Sequence, residues 1–185
     1  IFQIETGDKK GFVKTAVENF SKKYSLNFGV KVKKVKGFGF NYGLGSSAAA
    51  AVSALKGLAE LRKIKMTKRE LFDLAYQTVL DVQGVGSGFD VAAAIYGGTI
   101  CFKTGGEVIE KVTDFDLPIV VGYSGVKADT PTLVRRVAAA KKKHPEIIKR
   151  IFDKIEGLVE KGKEALSEKD WRKLGELMNV NQKFL

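Results

Sequence analysis

The sequence predicts an α+β fold, and three observations carry that reading. A period-2 apolar run over residues 27–36 and short apolar runs at 99–102, 108–112 and 117–123 have the pattern of strands. Alanine- and leucine-rich stretches between them have the composition of helices. From Thr130 onward, apolar residues recur only at helical spacing. Strand-rich and helix-rich portions therefore follow one another, with a boundary expected between Tyr123 and Thr130. This divides the chain into a first domain over 1–123 and the start of a second over 124–185.

The elements follow in order. Phe28, Val30, Val32 and Val35 alternate with lysines, as in a half-solvated strand, which ends in the glycine-rich run Gly37-Phe38-Gly39-Phe40-Asn41-Tyr42. A nearly all-apolar run from Ser46 to Leu61 predicts a buried helix. Thr67-Lys68-Arg69-Glu70 is a capping box, in which a threonine and a glutamate satisfy each other's backbone donors. A helix with Leu71, Leu74, Ala75 and Thr78 on one face should follow it. Residues 84–88 form a second glycine-rich loop, and 90–96 a short alanine-rich helix stopped by Gly97-Gly98. The run 117–123 is apolar enough for a central strand. Pro131 and Pro145 each suit the first turn of a helix. Ile147, Ile148, Ile151, Phe152, Ile155, Leu158 and Val159 mark the second of these, and Ser167 is expected to cap a last helix through Trp171, Leu174 and Met178.

Composition excludes several classes. The 185 residues carry 32 Lys+Arg against 21 Asp+Glu, a net charge of +11, with 44% hydrophobic and 29% charged residues. That balance suits a globular protein able to bury a core without staples. One cysteine, Cys101, excludes an internal disulfide framework, and one histidine, His144, excludes a histidine metal cluster. No stretch approaches the roughly 18 apolar residues of a membrane helix. The opening Ile1-Phe2-Gln3-Ile4-Glu5 has no basic segment or apolar core of a secretion signal, so a cytoplasmic protein is expected. The lysines are spread along the chain without interleaved aromatics, so no nucleic acid is expected; the charge equally suits small anionic substrates. A nucleic-acid-binding module using the lysine-rich run 30–36 is the alternative from another class.

Chemistry is concentrated in two loops. Gly43-Leu44-Gly45-Ser46-Ser47-Ala48 joins a glycine turn to a strong helix former. Glycines let backbone N–H groups approach phosphate oxygens, and the helix start leaves unpaired donors with a partial positive charge. Ser46 or Ser47 can cap this helix, or face a phosphate or Mg²⁺. A well-capped helix with no ligand is the plainer reading. The run is neither a Walker A nor a dinucleotide-binding sequence. Gly84-Val85-Gly86-Ser87-Gly88-Phe89-Asp90 forms the second loop. Asp90 reads either as an N-cap or as a fixed carboxylate that accepts a proton from an attacking hydroxyl. Together the loops supply what phosphoryl transfer needs: a phosphate cradle, hydroxyl ligands for a metal, and an acid that orients the acceptor.

Gly43–Ala49, GLGSSAA, resembles the phosphate-binding motif of the GHMP small-molecule kinases. The resemblance implies a ribosomal-protein-S5-like N-terminal domain followed by a helix-rich, ferredoxin-like C-terminal domain. It also implies ATP and Mg²⁺ as cofactors. Gly43, Leu44, Gly45, Ser46, Ser47 and Ala48 would hold ATP, with Ser46 or Ser47 assisting the metal. Ser87-Gly88-Phe89-Asp90 matches the family's catalytic-aspartate segment, which makes Asp90 catalytic and places Ser87 and Gly88 beside the acceptor.

The run 83–98, QGVGSGFDVAAAIYGG, is most similar to phosphomevalonate kinases, as is 129–135. Mevalonate kinases, the alternative, more often carry asparagine after the aspartate and an acid eleven positions before it, where this chain has Val91 and Val79. Residues 122–128 and 175–179 resemble mevalonate kinases instead. The implied acceptor is phosphomevalonate, or else mevalonate. Lys127 and Arg135 are the cations that would bind its anionic groups, although solvated helix cations are the plainer reading. The family's N-terminal Pro-Gly-Lys segment and late glycine-rich motif are absent, so both domains are expected to be incomplete. No membrane partner is expected, and a homodimer is left open.

Overall fold

A computed structural model of the chain describes residues 2–5, 11–33, 43–126 and 129–185. The chain divides into two compact units. One comprises Ile1–Gly97, Phe102–Ile109 and Tyr123–Ala128; the other comprises Gly98–Cys101, Glu110–Gly122 and Asp129–Leu185.

The first unit opens with a βαβ arrangement. Strand β1 (Phe2–Glu5) pairs in parallel with β2 (Val30–Lys33), in the register Phe2 to Val30 and Glu5 to Lys33. Helix α1 (Phe12–Lys23) lies between them in sequence, because parallel neighbours need a crossover. Neither β1 nor α1 is among the elements expected from the sequence. The valines of β2 are half-buried and Lys31 and Lys33 exposed, the alternation expected of it. Residues 34–36 of that expected strand, and the glycine-rich run after it, lie outside the described residues.

Three further helices complete the unit's described core. Helix α2 (Ser46–Leu61) buries Ala48, Ala51, Val52, Leu55, Leu58 and Ala59 at helical spacing, while Ser53, Lys56 and Gly57 face outward. Only a stripe of this alanine-rich helix is therefore covered. Helix α3 (Lys68–Gln83) starts at the expected capping box: Thr67 Oγ1 accepts from the Glu70 N–H at 3.2 Å, and Glu70 accepts from the Thr67 N–H at 2.7 Å. Helices α1, α2 and α3 pack against one another, and α4 (Phe89–Tyr96) against α2 and α3. Phe12, Phe20 and Phe72 are the largest fully buried side chains. Full burial of each such ring stabilises by roughly 1.5–3 kcal/mol. Buried Thr78 is satisfied by the Leu74 carbonyl at 2.9 Å and by Asn19 Nδ2 at 3.2 Å, which ties α1 to α3.

The second unit contains most of β3 (Thr99–Phe102) and of its partner strand β4 (Ile109–Thr113), and helices α5 (Thr130–Lys143), α6 (Pro145–Glu168) and α7 (Trp171–Gln182). Prolines open α5 and α6 as expected. Two expectations are corrected. Ser167 does not cap α7: it lies inside α6 and donates to the Lys163 carbonyl at 3.0 Å. The cap is Asp170, which accepts from the Lys173 N–H at 2.9 Å, after Lys169 turns the chain through a left-handed conformation. The run 117–123 is not a strand, and its Ile119, Val120 and Val121 are exposed. β-branched residues form a strand only where a neighbouring edge pairs with them. Trp171 packs edge-on against Phe115, with ring centroids 5.7 Å apart. Among the described residues, no helix is long and apolar enough to cross a membrane.

Candidate active site

Two glycines shape the first loop. Gly43 (φ 73°) and Gly45 (φ 66°) adopt left-handed backbone conformations that glycine takes at little cost. Gly45 is the N-cap of α2, and no side chain caps this helix. The expectation that Ser46 or Ser47 would cap it is corrected: both lie inside the first turn. The first helical bond runs from the Ala49 N–H to the Gly45 carbonyl at 2.9 Å. The N–H groups of Ser46, Ser47 and Ala48 consequently have no acceptor within the helix. Ser46 and Ser47 are half-buried, Leu44 is exposed, and the Ala48 side chain is buried in the core. Ala48 can therefore offer a ligand only its backbone N–H.

The second loop ends in the same way. Gly88 (φ 90°) is the N-cap of α4, again without a side-chain cap, and Asp90 is the second residue of the helix. The N-cap reading of Asp90 is thus corrected, although its carboxylate still serves the helix start. Its Oδ1 accepts from the Val91 N–H at 3.0 Å. Burial pushes the Asp90 carboxyl above the usual aspartate range; hydrogen bonds from the Val91 and Asp90 N–H groups oppose that rise without cancelling it. A half-buried carboxylate with a raised pKa is a common mark of a functional site.

The structure brings these two loops together. A Cβ added to Gly45 would lie 3.4 Å from the Cβ of Asp90. The acid thus stands beside the open start of α2. Ser87 and Gly88 belong to the same loop as Asp90, and the Ser87 carbonyl accepts from the Gly105 N–H at 2.9 Å. Arg135 belongs to the second unit, where it is exposed and donates to Thr132 Oγ1 at 3.0 Å. Lys127 lies outside the described residues.

Sequence reasoning missed the residues that hold the second loop in place. Tyr76, on α3, donates its hydroxyl to the Gly86 carbonyl at 2.8 Å. Val79 packs closely on Gly86, where an added Cβ would lie 3.2 Å from its methyl group. Phe72 stacks on Tyr76 with centroids 5.6 Å apart and closes on Gly88 and Gly106. Arg69 donates to the Gly106 carbonyl at 2.5 Å. The only signal in the sequence is the helical face of α3; nothing in the spacing marks which of its aromatics meets a loop.

A bound Mg²⁺ requires oxygen ligands. Among the described residues, no group of three or more His, Cys, Asp or Glu side chains could hold a metal ion. The oxygen donors beside the bend are the hydroxyls of Ser46 and Ser47 and the carboxylate of Asp90. Mg²⁺ is commonly held by one or two protein oxygens together with substrate phosphates and water. The set therefore fits an ion that arrives on a nucleotide.

Residues 11–98 match the family described as the GHMP kinases N terminal domain. The chain is 34% identical over 179 residues to the mevalonate kinase of Pyrococcus abyssi, an alignment covering 94% of this chain and 53% of that protein. The chain thus spans about half the length of the curated relatives it matches. Its fold matches the crystal structure of L. major mevalonate kinase in complex with R-mevalonate, with a TM-score of 0.75 and 26% identity over 99% of this chain and 61% of that one. It also matches the Lin0012 protein from Listeria innocua, with a TM-score of 0.77 and 21% identity over 99% of this chain and 65% of that one. The glycine-led loops described above lie within the matched region, and residues 11–98 form a GHMP kinases N terminal domain.

Proposed function

We propose that this chain carries the nucleotide-binding domain, over 1–123, and the start of the C-terminal domain, over 124–185, of a cytoplasmic, ATP-dependent mevalonate kinase. The approach of Asp90 to Gly45 carries the reading, because it puts an acid beside a ready-made anion site. The free N–H groups of Ser46, Ser47 and Ala48 receive phosphate oxygens of ATP. The Ser46 or Ser47 hydroxyl would hold Mg²⁺, which would supply charge neutralisation. Asp90 accepts a hydrogen bond from the acceptor hydroxyl and takes its proton. The bond from that oxygen to the γ-phosphorus forms as the bond from phosphorus to the β–γ bridging oxygen breaks, and ADP leaves. Burial of Asp90 suits this role, since a base with a raised pKa lies nearer the working pH.

The acceptor is mevalonate rather than phosphomevalonate, which the GSGFD run favoured. Support comes from the relatives, since those of Pyrococcus abyssi and Pyrococcus furiosus are both named mevalonate kinase, at 34% and 35% identity. Ser87 and Gly88 stand next to Asp90 on the acceptor side, and Lys127 binds the acceptor's carboxylate. The test is a steady-state assay of the full-length protein with Mg²⁺-ATP and each acceptor. Turnover of mevalonate without phosphomevalonate is expected. The reverse preference overturns the choice of acceptor, and no turnover of either overturns the kinase reading.

A further inference from the structure

Loop 84–88 is a glycine-rich segment held on one side by α3, and its position decides where Asp90 stands. A side chain at Gly88 would be strained and crowded: its φ is +90°, and a Cβ there would lie 3.0 Å from Tyr76 Cδ2 and 3.3 Å from Phe72 Cζ. The aromatic wall therefore meets the loop directly at backbone level. Backbone bonds hold the loop at Gly84, to the Leu80 carbonyl at 2.7 Å, and at Ser87, from the Gly105 N–H at 2.9 Å; between them the Tyr76 hydroxyl donates to the Gly86 carbonyl at 2.8 Å. A chain with three glycines in five residues has little intrinsic stiffness, so its position must be imposed by such contacts. Tyr76 is half-buried, so this bond is partly shielded from competing water.

From this geometry we propose that Tyr76 is a positioning residue for phosphoryl transfer: its hydroxyl fixes loop 84–88, and through Gly88 the reach of Asp90 toward the bend at Gly45. Tyr76 acts through the loop, by its bond to the Gly86 carbonyl. The inference rests on the assignment of Asp90 as the acid that receives the acceptor's proton. A misplacement of about 1 Å in a catalytic group can lower rates by up to about 10²-fold, so one hydrogen bond suffices for a measurable effect.

The experiment compares Tyr76→Phe, Asp90→Asn and the parent in the full-length protein. The readouts are kcat, the KM of ATP, the melting temperature, and amide exchange over residues 84–88 relative to α1. The phenylalanine variant keeps the ring wall and removes only the hydroxyl. Expected are a fall in kcat of about tenfold or more, an ATP KM within about twofold of the parent, and faster exchange confined to the loop. An unchanged kcat in Tyr76→Phe, with Asp90→Asn strongly impaired, overturns the positioning role and leaves the Asp90 assignment standing. Unimpaired Asp90→Asn overturns that assignment, and the positioning role with it. Faster exchange spread equally over the loop and α1, with kcat and KM changing together, marks general destabilisation and also overturns the proposal.

Discussion

Helices α3 and α4 both carry a carboxylate in their first turn, yet they use it in opposite ways. At α3, Thr67 and Glu70 close the helix start on each other, and the Thr67 N–H holds the Glu70 carboxyl below its usual range. At α4 the N-cap is a glycine with no side chain to offer, and burial pushes the Asp90 carboxyl upward. Helix α2 resembles α4 in its glycine cap. Side-chain caps satisfy orphan donors locally, whereas glycine caps leave the donors available and let a neighbouring loop approach. Of the glycine-capped starts of α1, α2 and α4, the last two meet at Gly45 and Asp90.

The largest expected contrast comes from turning each carboxylate into its amide. In the full-length protein, Asp90→Asn should lower kcat by about 10²–10⁴-fold with ATP affinity nearly unchanged, while Glu70→Gln leaves kcat near the parent value. Equal effects in a steady-state assay would erase the distinction between the two helix starts. Next in size is Gly45→Ala. Its left-handed backbone disfavours a side chain by about 1–2 kcal/mol, so denaturant unfolding should show a loss of stability of that size. Removal of the cap by Thr67→Ala should cost about 1 kcal/mol in denaturant unfolding and leave kcat intact.

The smallest effect is one of sign. A raised Asp90 pKa means that the folded state binds that proton more tightly than the unfolded chain, so stability falls as pH rises through it. Asp90→Asn should therefore be more stable than the parent at neutral pH, with the gap closing in acid. Glu70 behaves oppositely. Its lowered pKa contributes stability above the unfolded value that is lost as pH falls, so Glu70→Gln should be the less stable protein at neutral pH. Melting curves across pH check both signs, and shifts in the same direction would contradict the contrast.

Much of this was legible in the residues themselves. The extent of α2, the Thr67–Glu70 box and the prolines opening α5 and α6 follow from local propensity and capping chemistry, which act over a few residues. Helix α1 was equally legible, since Phe12, Val13, Ala16, Val17 and Phe20 recur at helical spacing. The strand expected over 117–123 failed because β-propensity reports fit to a neighbour and cannot create one. In the site, the two glycine-rich runs and Asp90 stood out by composition. The brace of Tyr76, Phe72 and Arg69 did not, because it depends on how α3 meets the loops Gly84–Gly88 and Thr104–Gly106.

The shared site is most directly tested by amide hydrogen exchange of the full-length protein with and without Mg²⁺-ATP. Slower exchange over residues 43–50, with residues 66–72 at the capped start of α3 unchanged, is expected if the open start of α2 holds the nucleotide. Unchanged exchange over 43–50 with protection appearing only elsewhere would contradict it.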